Sequence, residues 1–240
     1  MKKSIVIASL ILAGSFIISV LIYSNYLFKI QNLDNTLVVT GSATKTVESD
    51  LAKLRSSFSR TVFESQLKKG HEMMKADEEK VISFLKNNGI TEDEYEIYPV
   101  SMYEQYSYEK SAYEESRYHL SQQIVITSND IEKVKSLSSK TNDIINMDVV
   151  YQTNAPEYYY TRLPEDRIGL LPEAVADAQK RAEAIAESTD RRVGTLKSAD
   201  MGVVQVLQPN STDIASYGMY DTSTIEKEIM ITVRANFILK

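Results

Sequence analysis

Cysteine and tryptophan are absent from the chain, histidine occurs twice, and glycine and proline supply only 8 and 5 of its 240 residues. Each shortage removes a class of chemistry. Without Cys there is no thiol nucleophile, no thiolate zinc site, no disulfide and no lipid-modified N-terminal cysteine, and two His leave little for an imidazole metal cluster or a His-based triad. So few breakers, beside 43% hydrophobic residues, exclude a disordered or collagen-like chain and supply enough apolar material for a core. Positive charge is also short, with 27 Lys and Arg against 33 Asp and Glu.

What is present begins with an uncharged run, Ser4 to Tyr23, in which twelve positions are Ile, Leu, Val or Phe. About twenty helical residues at about 1.5 Å each match the roughly 30 Å hydrocarbon thickness of a bilayer. The run therefore reads as a membrane anchor, residues 1–29. The alternative is a cleaved signal peptide, whose apolar region is shorter and ends in a small-x-small site, whereas Tyr23-Ser24-Asn25-Tyr26-Leu27-Phe28 follows here. Lys2 and Lys3 precede the run, and Lys29 and Asp34 follow it, so the positive side is expected in the cytoplasm and the body outside it. Residues 30–240 hold 24 basic against 33 acidic residues, a balance of −9 that argues against nucleic acid and against electrostatic adhesion to anionic lipid.

Periodicity divides the body. Leu37 to Val47 reads as a strand, and Ala52, Leu54, Ser56, Phe58, Arg60 and Val62 alternate as a second, joined by a hairpin turn at Glu48-Ser49-Asp50. Glu64 to Asn88 carries Leu67, His71, Met74, Val81 and Leu85 at helical spacing and stops at Asn87-Asn88-Gly89. Tyr95 to Tyr108 and Glu114 to Thr127 read as extended, around Glu109-Lys110-Ser111-Ala112. Ser128-Asn129-Asp130 caps a short helix with Ile131, Val134 and Leu137 inward, and Ile144 to Thr153 reads as a strand. A second long helix starts near Pro164 or Pro172, and its Ala174, Ala178, Ala182 and Ala186 recur every four residues, a row that lets the helix axis approach a neighbour closely. Strands follow at Val193 to Leu207 and through Ile229, Ile231, Val233, Ala235, Phe237 and Leu239. The order ββα-ββαβ-αββ predicts an α+β protein, antiparallel sheets with packed helices, behind one transmembrane helix. Residues 94–153 read as a possible inserted ββαβ subdomain.

This pattern resembles the SIMPL (DUF541) family over essentially the whole body. The most specific part is the Ala-rich helix and following strand, EAVADAQKRAEAIAESTDRRVGTLKS, Glu173 to Ser198. The opening VVTGSATKTVESDLAKL, Val38 to Leu54, and the helix end VISFLKNNGI are similar to the family as well. Where the family usually has a Leu-Gly pair, this chain reads Ser188-Thr189-Asp190. The resemblance implies an extracytoplasmic α+β protein, often anchored or secreted, that tends to form larger oligomers and is associated with envelope or oxidative stress. It carries over no catalytic residues.

Individual motifs point to little chemistry. Gly41-Ser42-Ala43-Thr44-Lys45 lacks the second glycine and the following helix of a phosphate loop. His71-Glu72 is not H-E-x-x-H, because position 75 is Lys, and His119 stands alone. Glu92-Asp93-Glu94 lacks calcium-loop spacing, and Asn210-Ser211-Thr212 matches the glycosylation triplet only at chance level. No catalytic, cofactor-binding or metal-binding residue is assigned, and no cofactor is expected. The unusual feature is tyrosine, fifteen in all: Tyr95, Tyr98, Tyr103, Tyr106, Tyr108, Tyr113 and Tyr118 on the central hairpin, and the run Tyr158-Tyr159-Tyr160. These residues favour strands and can simply share a sheet surface, or form a contact platform with hydroxyl tips. Glu104, Glu109, Glu114 and Glu115 would discourage uncontrolled pairing at an exposed edge. The expected function is a tethered, self-assembling, non-catalytic interaction protein of the cell envelope. The alternatives are a glycan- or ligand-binding module using the tyrosines and, less favoured, an enzyme with a carboxylate pair.

Overall fold

The computed structural model describes residues 2–31, 35–106, 115–211 and 216–240; within the first helix it describes the side chains of residues 13–27. Helix α1 covers Lys2–Gln31. Its described side chains fall short of the about 20 apolar residues a span requires. Among the described residues no helix is long and apolar enough to cross a membrane. Positions 4–12 of the expected span lie outside the described side chains.

The chain divides into two compact units. Residues 1–44, 167–204 and 230–240 make the first, and 45–166 with 205–229 the second. Residues 94–153 fall within the second. One four-stranded sheet has the order β1-β10-β8-β9, formed by β1 (Thr36–Glu48), β8 (Val193–Leu207), β9 (Met219–Tyr220) and β10 (Glu226–Leu239). The other holds β2 (Leu51–Phe63), β3 (Tyr95–Ile97), β4 (Ser101–Gln105), β5 (Arg117–Ser128), β6 (Val150–Thr153) and β7 (Glu157–Tyr159). The described pairings of this second sheet are antiparallel, whereas β9 runs parallel to β8. The protein is α+β.

After the short α5 (Leu163–Gly169), α6 (Leu171–Glu187) of the first unit buries Ala174, Ala178, Ala182 and Ala186. Two of these meet Val39, Ala235 and Phe237 in a small core. The alanine row does what its spacing predicts. A Cβ built on Gly41 of β1 would fall 2.8 Å from the Ala178 Cα and closer still to the Ala174 carbonyl oxygen, so helix and strand meet at a distance only glycine permits. Along β10 the period of two becomes burial: Ile229, Ile231, Val233, Ala235 and Phe237 are all inside.

In the second unit, β2 and β5 pair over twelve positions, from Ala52 opposite Ser128 to Phe63 opposite Arg117. Their even-numbered side chains Leu54, Phe58, Leu120, Ile124 and Ile126 form the core with Met74, Val81, Phe84 and Leu85 of α2 (Leu67–Asn87) and Val134 and Leu137 of α3 (Ile131–Ser139). Arg60 points inward by the same parity and meets Asp77 of α2, 1% exposed, through two hydrogen bonds of 2.6 and 2.9 Å. That bond raises the guanidinium's pKa above its ordinary value against the opposing cost of burial. A charge at the Asp77 position, on the buried helix face between Met74 and Val81, is tolerated because the bidentate fork satisfies it.

Four expectations need correction. Glu48-Ser49-Asp50 is no hairpin turn: β1 and β2 belong to different sheets, and Ser49 donates through both its N–H and its hydroxyl to the Ile225 carbonyl. Alternation identified both strands but not their partners. His71 is exposed; Gly70 takes the inward position, where a Cβ would press on Leu120 and Val62 at 2.9 Å. Tyr95 to Tyr108 breaks into β3 and β4 around Pro99, which has no N–H to give the ladder, and residues 107–114 lie outside the described residues. The strand expected from Ile144 begins only at Val150, because Ile144 sits on α4 (Thr141–Ile145) and Asp148 turns the chain at φ 64°. Strands β7 and β9 were too short for a periodicity signal.

Candidate functional site

Asn210-Ser211-Thr212 runs into residues outside those described, and the other motifs take structural roles. Gly41-Ser42 lies against α6, with the Ser42 N–H donating to Asp177 Oδ2 at 2.8 Å, which lowers that carboxyl's pKa. His119 of β5 rests 5.0 Å from the Tyr103 ring and 3.3 Å from the Thr61 hydroxyl. Glu92-Asp93-Glu94 forms a 3-10 turn in which Glu92 pairs with Lys86 and Glu94 with Lys133. Burial would raise the Glu94 pKa, but hydrogen bonds from Lys133, Ser128 and Thr91 hold it at about 2. Among the described residues no three His, Asp or Glu side chains form a metal-ligating group.

The tyrosines do not make one platform. The two-residue period sends Tyr118, opposite Val62, toward the helix side of the sheet and Tyr103, opposite His119 and so level with Thr61, to the open side. Tyr95 packs against the core, Tyr106 is 83% exposed, and Tyr108 and Tyr113 lie outside the described residues.

The open side of the six-stranded sheet is the more informative surface. Lys53, Arg55, Ser57, Ser59 and Thr61 line it along β2. Ser57 faces Gln123 and Gln152 across its two ladders, and Ser59 faces Ser121, which in turn faces Ser101. At the centre is a trough of about 400 Å³, walled by these hydroxyls and amides and by Tyr98, Pro99 and Arg55. Arg55 Nη2 is 3.5 Å from Glu157 Oε2, while its buried Nε has no hydrogen-bond partner among the described residues. The Tyr98 hydroxyl donates to Glu96 at 3.1 Å, which raises its pKa.

Farther along β2 lies a second groove of about 460 Å³, bounded by Leu51, Lys53, Tyr159, Tyr160, Thr161 and Tyr220. Tyr159 and Tyr220 stack with centroids 6.1 Å apart, and Lys53 Nζ sits 5.8 Å from the Tyr159 ring centre. The Tyr160 N–H donates to the Tyr220 hydroxyl at 2.8 Å, and the Tyr160 hydroxyl to Asp166 at 2.6 Å. Burial and that carboxylate push Tyr160 up to about 12, so it stays a neutral phenol at physiological pH. Lys45, 2.5 Å away, and Tyr160 hold Asp166 below the usual carboxylate range. Tyr220 could not be foreseen, because nothing in a two-residue strand sixty positions away signals its partner. Lys227 was also missed: it is 0% exposed and donates to the carbonyls of Asp221 and Thr224 at 2.6 and 2.7 Å, with its pKa lowered by burial against the pull of Asp221.

In β8 the residues from Thr195 to Val203 are exposed on both faces, and β9 joins only at Gln205 and Val206, so on that side the strand has no described neighbour before Gln205.

Fold and surfaces together define a class: an α+β protein whose features, among the described residues, are an open polar sheet face, an aromatic groove and a long exposed strand. The SIMPL family model, described as a protein of unknown function (DUF541), matches residues 37–237, and the chain belongs to that family. A comparison with curated proteins finds no match.

Proposed function

We propose that the chain is an extracytoplasmic protein tethered to the cell membrane by α1, working in the cell envelope by association rather than catalysis, with copies joined through the β8 edge. Support for the tether is the uncharged run Ser4 to Tyr23 and the exposure of the described apolar side chains on α1, Phe16 at 71% among them. Lys2 and Lys3 favour a cytoplasmic N-terminal end.

The observation that carries the assembly reading is the β8 edge. A long, exposed strand edge bearing Leu196, Met201 and Val203 is a template for pairing that native proteins ordinarily cover or charge. Two copies pairing antiparallel turn about an axis normal to the sheet, so opposed residues lie on one face. Centred on Ala199, this sets Lys197 against Met201 and Ser198 against Asp200, and neither charge meets its own copy. Cα atoms of opposed residues at about 4.5–5.5 Å suit a disulfide. Because the chain has no Cys, Ala199→Cys under mild oxidation is expected to give a covalent dimer, and light scattering of the full chain in detergent a species larger than a monomer. A monomer in solution and no cross-link would overturn the reading.

A further inference from the structure

Paired strands bring the walls of the aromatic groove together. Strand β7 sets Tyr159 opposite Leu51 and Glu157 opposite Lys53, so the period of two puts Leu51, Lys53 and Tyr159 on one face. All the lining residues belong to the second unit. The volume of about 460 Å³ is that of a small-molecule site.

The rings are fixed before any ligand arrives. The Tyr159 hydroxyl donates to Glu157 at 2.7 Å and that of Tyr160 to Asp166 at 2.6 Å. The Tyr220 hydroxyl accepts from the Tyr160 N–H and donates to the Tyr160 carbonyl at 3.5 Å, and the Thr161 hydroxyl donates to Asp50 at 2.8 Å. Every hydroxyl proton of the groove is thus spent within the protein, which leaves little to read the hydroxyls of a sugar. What remains on offer is ring surface and the side chain of Leu51, a match for a flat apolar ring.

Charge narrows the choice. A cation already lies by each of the three rings: Lys53 Nζ is 5.8 Å from the centre of Tyr159, the Arg162 guanidinium 5.4 Å from that of Tyr160, and Lys227 Nζ 5.7 Å from that of Tyr220. A cationic ligand would meet like charge. The carboxylates around the rings are paired, Glu157 with Arg55, Asp166 with Lys45, Asp50 with Arg162 and Asp221 with Lys227. Of the three cations beside the rings, Lys53 alone makes no ion pair among the described residues, and an anionic group on the ligand would complete it.

We infer that the groove binds a small, flat aromatic acid, its ring against Tyr159 and Tyr220 and its carboxylate on the Lys53 ammonium. One copy of the chain supplies every contact, so this binding and association through β8 can fail separately.

The test is calorimetric titration of the full chain in detergent, with empty micelles as the blank, against naphthoate, its neutral amide, cyclohexanecarboxylate and acetate. Naphthoate is expected to bind with a Kd below roughly 1 mM, and each of the other three at least about tenfold more weakly. Lys53→Met, which keeps an apolar stem, should bring naphthoate to the level of its amide and leave the amide unchanged, and Lys53→Arg should restore the difference. Tyr220→Ala, which removes a ring but no charge, should weaken both naphthyl ligands and keeps the test valid if the Lys53 variants misfold. No binding, equal binding of acid and amide, cyclohexanecarboxylate or acetate binding as tightly as naphthoate, or indifference of naphthoate to either Lys53→Met or Tyr220→Ala would each overturn the assignment.

Discussion

Asp190 ends α6 in the left-handed region, at φ 56°. The bonds around it are those of a Schellman closure: the Arg191 N–H reaches the Ala186 carbonyl at 2.9 Å and the Asp190 N–H that of Glu187 at 3.2 Å. The family resemblance implies a Gly near this point, and here an aspartate adopts the conformation glycine takes freely, with its negative charge beside the negative end of the helix dipole. Both effects work against the native state, and only the greater unfolded-state freedom of glycine opposes replacement. Asp190→Gly should therefore stabilise the protein by about 0.5–1 kcal/mol, seen as a higher urea midpoint at unchanged m-value; a lower midpoint would show that the aspartate has a compensating role. The departure from the family pattern was readable in the sequence, but the backbone conformation it imposes was not. Asp77 shows the converse limit. Arg60 could be placed inside by strand parity, whereas a charged residue on a helix gives no sign of being buried until its partner is known.

At the scale of elements, the contact of α6 with β1 depends on what is missing from Gly41. The atoms a Cβ would strike are backbone, the Ala174 carbonyl and the Ala178 N and Cα, which cannot rotate away. Gly41→Ala must push the helix off the strand, and a cost of about 2–3 kcal/mol is expected. Gly169→Ala is the matched control, because nothing lies within 4 Å of its added methyl, and its midpoint should stay within about 0.5 kcal/mol of the parent or rise. Equal effects of the two in chemical denaturation would refute the close-approach argument. The alanine row was legible because small residues at every fourth position have few other uses. Pairing was not: a strand's period reports that one face is buried and says nothing about which strand lies beside it, which is why the link at Ser49 looked like a hairpin. The tyrosines failed for the same reason, since membership of a hairpin does not fix which face each one takes.

Across the whole molecule the boundary between the two units falls inside β1, β8 and β10, where composition gave it no mark, and once inside the short helix Leu163–Gly169. What both units share is carboxylates held in the charged form. Asp177 in the first, and Glu94, Asp166 and Asp221 in the second, all have lowered pKa values. A carboxyl that is more acidic folded than unfolded adds stability above its unfolded pKa, and that contribution is lost as pH falls toward the folded value. For Glu94 the window runs from about 4.5 down to about 2. Its full shift would correspond to ~3 kcal/mol, but solvent reaches the Lys133 pair, and ~1–2 kcal/mol is the better expectation. Glu94→Gln should then lower stability by that amount at pH 7, with the difference from the parent shrinking below pH 4.5 and vanishing near pH 2. Denaturant titrations at several pH values test this directly. A penalty that persists unchanged at pH 2 would mean Glu94 acts through packing, and the acid sensitivity of the fold would have to come from the other carboxylates.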